Sequence, residues 1–196
     1  MLNVITLNDK YIRNIIDEAN ELLSKFNLKK DIIPVALDII IRYIKNAVPS
    51  EPREKEVLYL AAYFISIRHP FSYPSNITRE GFSYQSNIKI TSLDWYVNRI
   101  LSDLNFIRMH GPEGKPYFLD RTSLIFTVTR SITRSQLSEF LINAIINKKM
   151  PEVNTIVDQI LTILIIRLRI LPEIFRRSLR NLVLDIVRRE VNNLRL

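Results

Sequence analysis

The sequence has no cysteine and only three glycines, Gly81, Gly111 and Gly114. Without cysteine there is no disulfide framework, no Cys-ligated zinc and no thiol nucleophile, which accords with a reducing compartment. Three scattered glycines leave no run to cradle a phosphate in a nucleotide-binding loop. Histidine is almost as scarce. His69 and His110 are the two present, and neither has Asp or Glu neighbours at metal-ligand spacing, so no metal site is expected. The acid pairs Asp17–Glu18, Glu54–Glu56 and Asp94–Asp103 fall at helix starts or on outward faces, where they meet the helix dipole or nearby Lys and Arg. No general acid and base emerge, and no nucleophile motif surrounds the serines. The expectation is a protein without catalytic residues or cofactors, whose function lies in a surface.

Long apolar runs are also missing. The greasiest stretch, Ile156 to Leu171, is interrupted by Asp158, Arg167 and Arg169 and is short for a bilayer. The N-terminal MLNVITLNDK has no basic segment followed by an apolar run, so no signal peptide is read and a cytoplasmic location is expected, with no membrane partner. What is abundant is hydrophobicity, 47% over 196 residues, enough for one substantial core or two small ones. The formal charge is +8 and the pI about 9.8. That balance favours polyanions or acidic protein surfaces as partners.

Helical spacing dominates the chain. Asn8 or Asp9 is expected to cap a first helix through Phe26, with Ile12, Ile15, Ile16, Ala19, Leu22 and Leu23 on its apolar face. Asp31 to Ala47 reads as a second helix with Pro34 in its tolerated first turn. A third, from Arg53 or Glu54 to Arg68, is apolar all round through VLYLAAYFISI and reads as the centre of a bundle. A short helix is expected from Ser75 or Asn76 to Tyr84. Thr91 to Leu104 follows, opened by a Thr-Ser cap. It places Leu93, Val97, Ile100, Leu101 and Leu104 on one side and Asp94, Trp95, Asn98, Arg99 and Ser102 on the other. The IRMHGPEGKPYFLD segment has two short extended runs around a Gly-Pro-Glu-Gly turn, a hairpin or small wing. Thr122 to Ser131 reads as a strand or a helix start, with helix preferred. Ser135 to Lys148, Pro151 to about Leu171, and Glu173 to Leu196 are expected to be helical, the last two as a pair separated by Pro172.

The stretches EANELLSKFNLKKDIIPVALDIIIRYIKN (Glu18 to Asn46), LAAYFISIRHP (Leu60 to Pro70) and ITSLDWYVNRILSDLNF (Ile90 to Phe106) together resemble a cyclin box. This is the five-helix fold shared by cyclins and general transcription factor B proteins. The resemblance covers about residues 9 to 110. It implies two packed helices, a central Ala-rich helix and the recognition helix of an embedded helix-turn-helix. The cysteine-rich zinc ribbon of the factor B family has no counterpart, and residues 122–196 show no second box. The Gly111 to Gly114 turn is more similar to a winged helix, which also presents Thr91 to Leu104.

The expected fold is therefore all-α. Residues 1–121 form a cyclin-box-like or winged helix-turn-helix domain, and residues 122–196 a helical C-terminal region. Trp95, Asn98 and Arg99 are the candidate base-reading face, because Arg pairs with guanine and Asn with adenine edges in a major groove. Trp95 alternatively packs on Phe71, Tyr73 or Tyr84. Arg108, His110 and Lys115 bracket the hairpin and suit phosphate. The C-terminal arginines, Arg167, Arg169, Arg176, Arg177, Arg180, Arg188, Arg189 and Arg195, either line a polyanion groove or solubilise a dimerising pair whose seam is Ile163, Ile166, Ile170, Ile174, Leu182, Ile186 and Leu194. The expected function is a DNA-binding transcription or chromosome-associated regulator, with double-stranded DNA as partner and a homodimer through the C-terminal helices. The alternative is a cyclin-like adaptor that binds protein, RNA polymerase for one, beside Val57 to Ile67.

Overall fold

The computed structural model describes residues 2–25, 30–46, 52–111, 114–149, 151–168 and 175–193. Among the described residues the fold is all-α apart from one two-stranded hairpin, and the chain divides into two compact units, Met1–Ile107 and Arg108–Leu196. The hairpin thus groups with the C-terminal helices, whereas the sequence reading drew the line after residue 121. Among the described residues no helix is long and apolar enough to cross a membrane.

The N-terminal unit holds α1 (Leu2–Lys25), α2 (Ile33–Asn46), α3 (Lys55–Ile67), α4 (Arg79–Gln85) and α5 (Ile90–Asp103). Helix α3 is its axis. Every residue from Leu58 to Ile67 is buried, as a helix apolar on all faces requires, and α1, α2 and α5 pack around it. The apolar face read for α1 is the one that packs, with Ile15, Ala19 and Leu23 buried. Its start is earlier than the expected Asn8 or Asp9 cap: no proline or glycine stands between Leu2 and Asp9 to stop the helix. Phe82 of α4 fixes that short helix to α3, its ring 6.3 Å from Tyr63 and 5.2 Å from Phe64.

Two expected caps are corrected. Helix α4 is capped by Thr78, not by Ser75 or Asn76. Its Oγ1 accepts from the Gly81 N–H at 3.0 Å, while the buried Arg68 guanidinium donates to the Ile77 carbonyl and holds the preceding chain out of the helix. Helix α5 begins on Lys89, which supplies no side-chain cap, so Thr91 and Ser92 lie inside its first turn. The cause is how α4 ends. Asn87 sits at φ 50°, its N–H donates to Tyr84 O at 3.2 Å and the Ile88 N–H donates to Ser83 O at 3.1 Å. This Schellman arrangement leaves Lys89 alone before α5. The same device ends α5, with Asn105 at φ 54°, its N–H on Ser102 O and the Phe106 N–H on Leu101 O.

The C-terminal unit holds β1 (Ile107–His110), all but its first residue, paired with β2 (Pro116–Leu119), then α6 (Leu124–Asn147), α7 (Val153–Leu168) and α8 (Arg176–Asn193). The three helices expected after residue 135 are present, and the first of them starts earlier, at Leu124. The segments read separately at 122–131 and 135–148 are one helix, capped by Ser123, which accepts from Phe126 N–H at 3.4 Å. Their β-branched bias gives way to packing, with Thr129 and Thr133 fully buried. Leu137, Ile156, Val157, Ile160, Leu161, Leu164, Leu179, Val183 and Val187 form the core. The hairpin joins it through Tyr117, whose ring meets Phe175 edge-on at 5.1 Å, and through the His110 N–H on Ser178 Oγ at 3.2 Å. Gly111 is required where Tyr117 crosses, since a Cβ there would come within 2.7 Å of its ring. Pro172, Ile170, Ile174, Leu194, Arg169 and Arg195 lie outside the described residues.

The left-handed Asn105 supplies a direct stability test. Asn105→Gly is expected to keep the stability of the parent chain, and Asn105→Val to lose about 1–2 kcal/mol, both by urea unfolding. Equal stability in the two variants would contradict the turn geometry.

Candidate nucleic-acid interface

Helix α5 buries Leu93, Tyr96, Val97 and Ile100 and so has one outward face. That face carries Trp95, Asn98, Arg99 and Ser102, all exposed, with Asp94 half-buried beside them. Helical periodicity had identified the same residues; Tyr96 is the inward residue it missed. The Tyr96 hydroxyl accepts from the Glu54 N–H at 3.2 Å and so ties α5 to the start of α3.

Trp95 is 55% exposed. Of the rings proposed to cover it, Tyr84 is itself 88% exposed, and the Phe71 side chain lies outside the described residues. Trp95 meets its neighbour Tyr96 edge-on at 4.7 Å, and the Arg99 guanidinium lies 5.8 Å from its ring centre, a cation–π contact. Tyr84, at the end of α4, is 88% exposed and adds a second open aromatic near the turn.

The cations of this face are not idle. Arg99 Nε lies 3.1 Å from Asp103 Oδ2, one helical turn on. Arg79 bridges α4 to α5 through Asp94 at 3.0 Å and also binds Glu80 at 2.9 Å. Glu80 is held below the usual carboxylate range by its own backbone N–H and then by Arg79. Such exposed pairs contribute little stability, but they leave the outer side of α5 close to neutral. An open groove of about 860 Å³ runs between the first turns of α3 and α5, with Arg53, Lys55 and Lys89 beside Glu54 and Glu56.

Arg108 and Lys115 are on the hairpin of the other unit, Arg108 exposed and Lys115 half-buried. Of the expected seam for self-association, Ile186 is buried, Ile163 and Leu182 are half-buried, and Ile166 is exposed. A cluster of exposed apolar side chains lies instead at the end of α6, on Ile142, Ile145 and Ile146. No protein-family model, no curated protein and no solved structure matches this chain. Among the described residues no three or more His, Cys, Asp or Glu side chains converge as a metal site would require.

A long-range contact that no local pattern signals also shapes the face. Burial pushes the Tyr43 phenol of α2 up from its ordinary value, with the Arg99 guanidinium pulling it back and Asp103 pushing the same way as burial. A folded pKa above the unfolded value of about 10 means that the contribution of the neutral phenol is intact below pH 10 and is lost as pH rises through the folded pKa. Tyr43→Phe is therefore expected to lose less stability than the parent between pH 8 and pH 10.5, measured by urea unfolding at each pH. An identical loss would remove Tyr43 from the account of that face.

Proposed function

We infer that the protein binds double-stranded DNA through α5, as a transcription or chromosome-associated regulator. The observation that carries this reading is the exposure of Trp95 and Asn98 on the single open face of a helix whose other face is locked into the core. The short α4, the turn at Asn87 and α5 follow in the order of a helix-turn-helix. A two-stranded hairpin comes next in the chain, which favours a winged helix over a cyclin box. Asn98 offers the donor and acceptor that suit an adenine edge, and Arg99 suits guanine once it leaves Asp103. The start of α5, without a side-chain cap, suits a phosphate. The adaptor reading finds less support, because α3 is buried from Leu58 to Ile67 with α1, α2 and α5 packed on it, and the open groove reaches only its first turn.

Trp95 is the sole tryptophan, so its emission reports on α5 alone. Saturating duplex is expected to shift that emission and to shield it from acrylamide. On a duplex selected from a randomised pool, Asn98→Ala is expected to cost roughly 1–3 kcal/mol of binding without changing the salt dependence. Unchanged emission at saturation together with unchanged affinity in the variant would refute the role of α5.

A homodimer belongs to the same reading, with its seam moved from α7 and α8 to the end of α6. Ile145→Asp is expected to lower the sedimentation-derived mass from dimer to monomer. A parent chain that sediments as a monomer at the concentrations used for binding would dispose of the dimer.

A further inference from the structure

The positive charge of the chain is not shared between its units. Met1–Ile107 carries 13 Lys and Arg against 12 Asp and Glu, and Arg108–Leu196 carries 15 against 8. Almost all of the +8 therefore belongs to the unit that does not contain α5. Within it α8 is the densest element, with Arg176, Arg177, Arg180, Arg188 and Arg189 against Asp185 and Glu190.

Packing sorts these side chains. Leu179, Val183, Ile186 and Val187 are buried, and α6 and α7 pack on α8. Arg180 is committed to Asp158 at 2.9 Å, and Glu190 to Arg134 at 2.6 Å. The opposite side of α8 presents Arg177, Asn181, Arg188 and Asn192, all exposed and at helical spacing on one stripe, with Arg189 beside it. Arg177, Arg188 and Arg189 have no acidic partner among the described residues, and Asp185 is the one carboxylate on the stripe.

We propose that this outer stripe of α8 binds the phosphate backbone of duplex nucleic acid. Arg177 and Arg188 stand about 16 Å apart along the helix axis, a length over which one strand offers about five phosphates. The stripe has no exposed large apolar side chain to act as the core of a protein interface. The apolar side of α8 is spent on α6 and α7, which leaves nothing to insert into a lipid surface. Leu184, which falls on the same stripe, is half-buried against the core, so the exposed groups are arginine and asparagine, side chains that hold and position a sugar-phosphate backbone. This inference goes beyond the reading of α5 and stands without it.

The test uses the full chain and a fluorescent random-sequence duplex, titrated by polarisation at several salt concentrations. Replacing Arg177, Arg188 and Arg189 together by Gln is expected to weaken binding by roughly 10- to 100-fold at low salt and to flatten the slope of log affinity against log salt by about 2–3. A control replacing the exposed Lys10, Arg13 and Lys45 of the N-terminal unit by Gln removes the same net charge and is expected to change the slope by less than about 1. Asp185→Asn is expected to strengthen binding by about 2- to 5-fold, a gain that no folding defect produces. An unchanged slope in the α8 triple variant, an equal fall in both triple variants, or a parent chain that binds anionic vesicles and not the duplex would overturn the proposal.

Discussion

The N-terminal unit depends on one constraint, the need to bury α3 on every side. Ten consecutive residues from Leu58 to Ile67 are out of solvent, and two of them, Ala61 and Ala62, are small enough to let neighbouring helices approach closely. Such a helix cannot sit at a surface, so α1, α2 and α5 must surround it. Once α5 is packed there through Leu93, Val97 and Ile100, its orientation about its own axis is set and a single face remains in solvent. The open face of α5 is thus a consequence of core packing before it is anything else. Asn87 and Asn105 then trim the element at both ends, since a left-handed residue closes a helix and turns the chain in few residues.

Much of this was legible in the chain. The apolar spacing of Ile15, Ala19 and Leu23, the uniform apolarity of α3 and the two-sided pattern of α5 each translate directly into burial. Local capping was less legible. Thr78 won over Ser75 and Asn76 because Arg68, from the end of α3, draws the Ile77 carbonyl out of line, a contact across nine residues. Lys89 opens α5 although Thr91 and Ser92 are better caps, because the Schellman end of α4 leaves no room for a longer link. The β-branched run after Thr122 left strand and helix both open, with helix preferred, because propensity reports only local preference; it is the start of α6, with Thr129 and Thr133 fully buried.

The candidate site shows the same division. Trp95, Asn98 and Arg99 were placed outward by periodicity, and the Arg99–Asp103 pair was visible as an i, i+4 spacing. Tyr43, which reaches the same face from α2, carries no local signal. Arg108 and Lys115 were grouped with α5 because they follow it closely in sequence, and the boundary after Ile107 assigns them to the other unit. That boundary also gives the overall charge its meaning. A value of +8 attached to the whole chain favoured a polyanion partner, yet α5 lies in the nearly neutral unit and its one cation, Arg99, is paired with Asp103. On the proposed reading, α5 supplies the base contacts and α8 the phosphate contacts, the two kinds that in general carry specificity and affinity.

The measurement that reaches the central claim most directly is the salt dependence of duplex binding by the intact parent chain, followed by polarisation against a random duplex and a random single strand of equal length. The expected result is duplex binding in the micromolar range at low salt that weakens by orders of magnitude as salt rises, with the single strand bound less well. Absence of duplex binding at low salt, despite a charge of +8, would contradict the account and return α5 and α8 to the status of solvated helix faces.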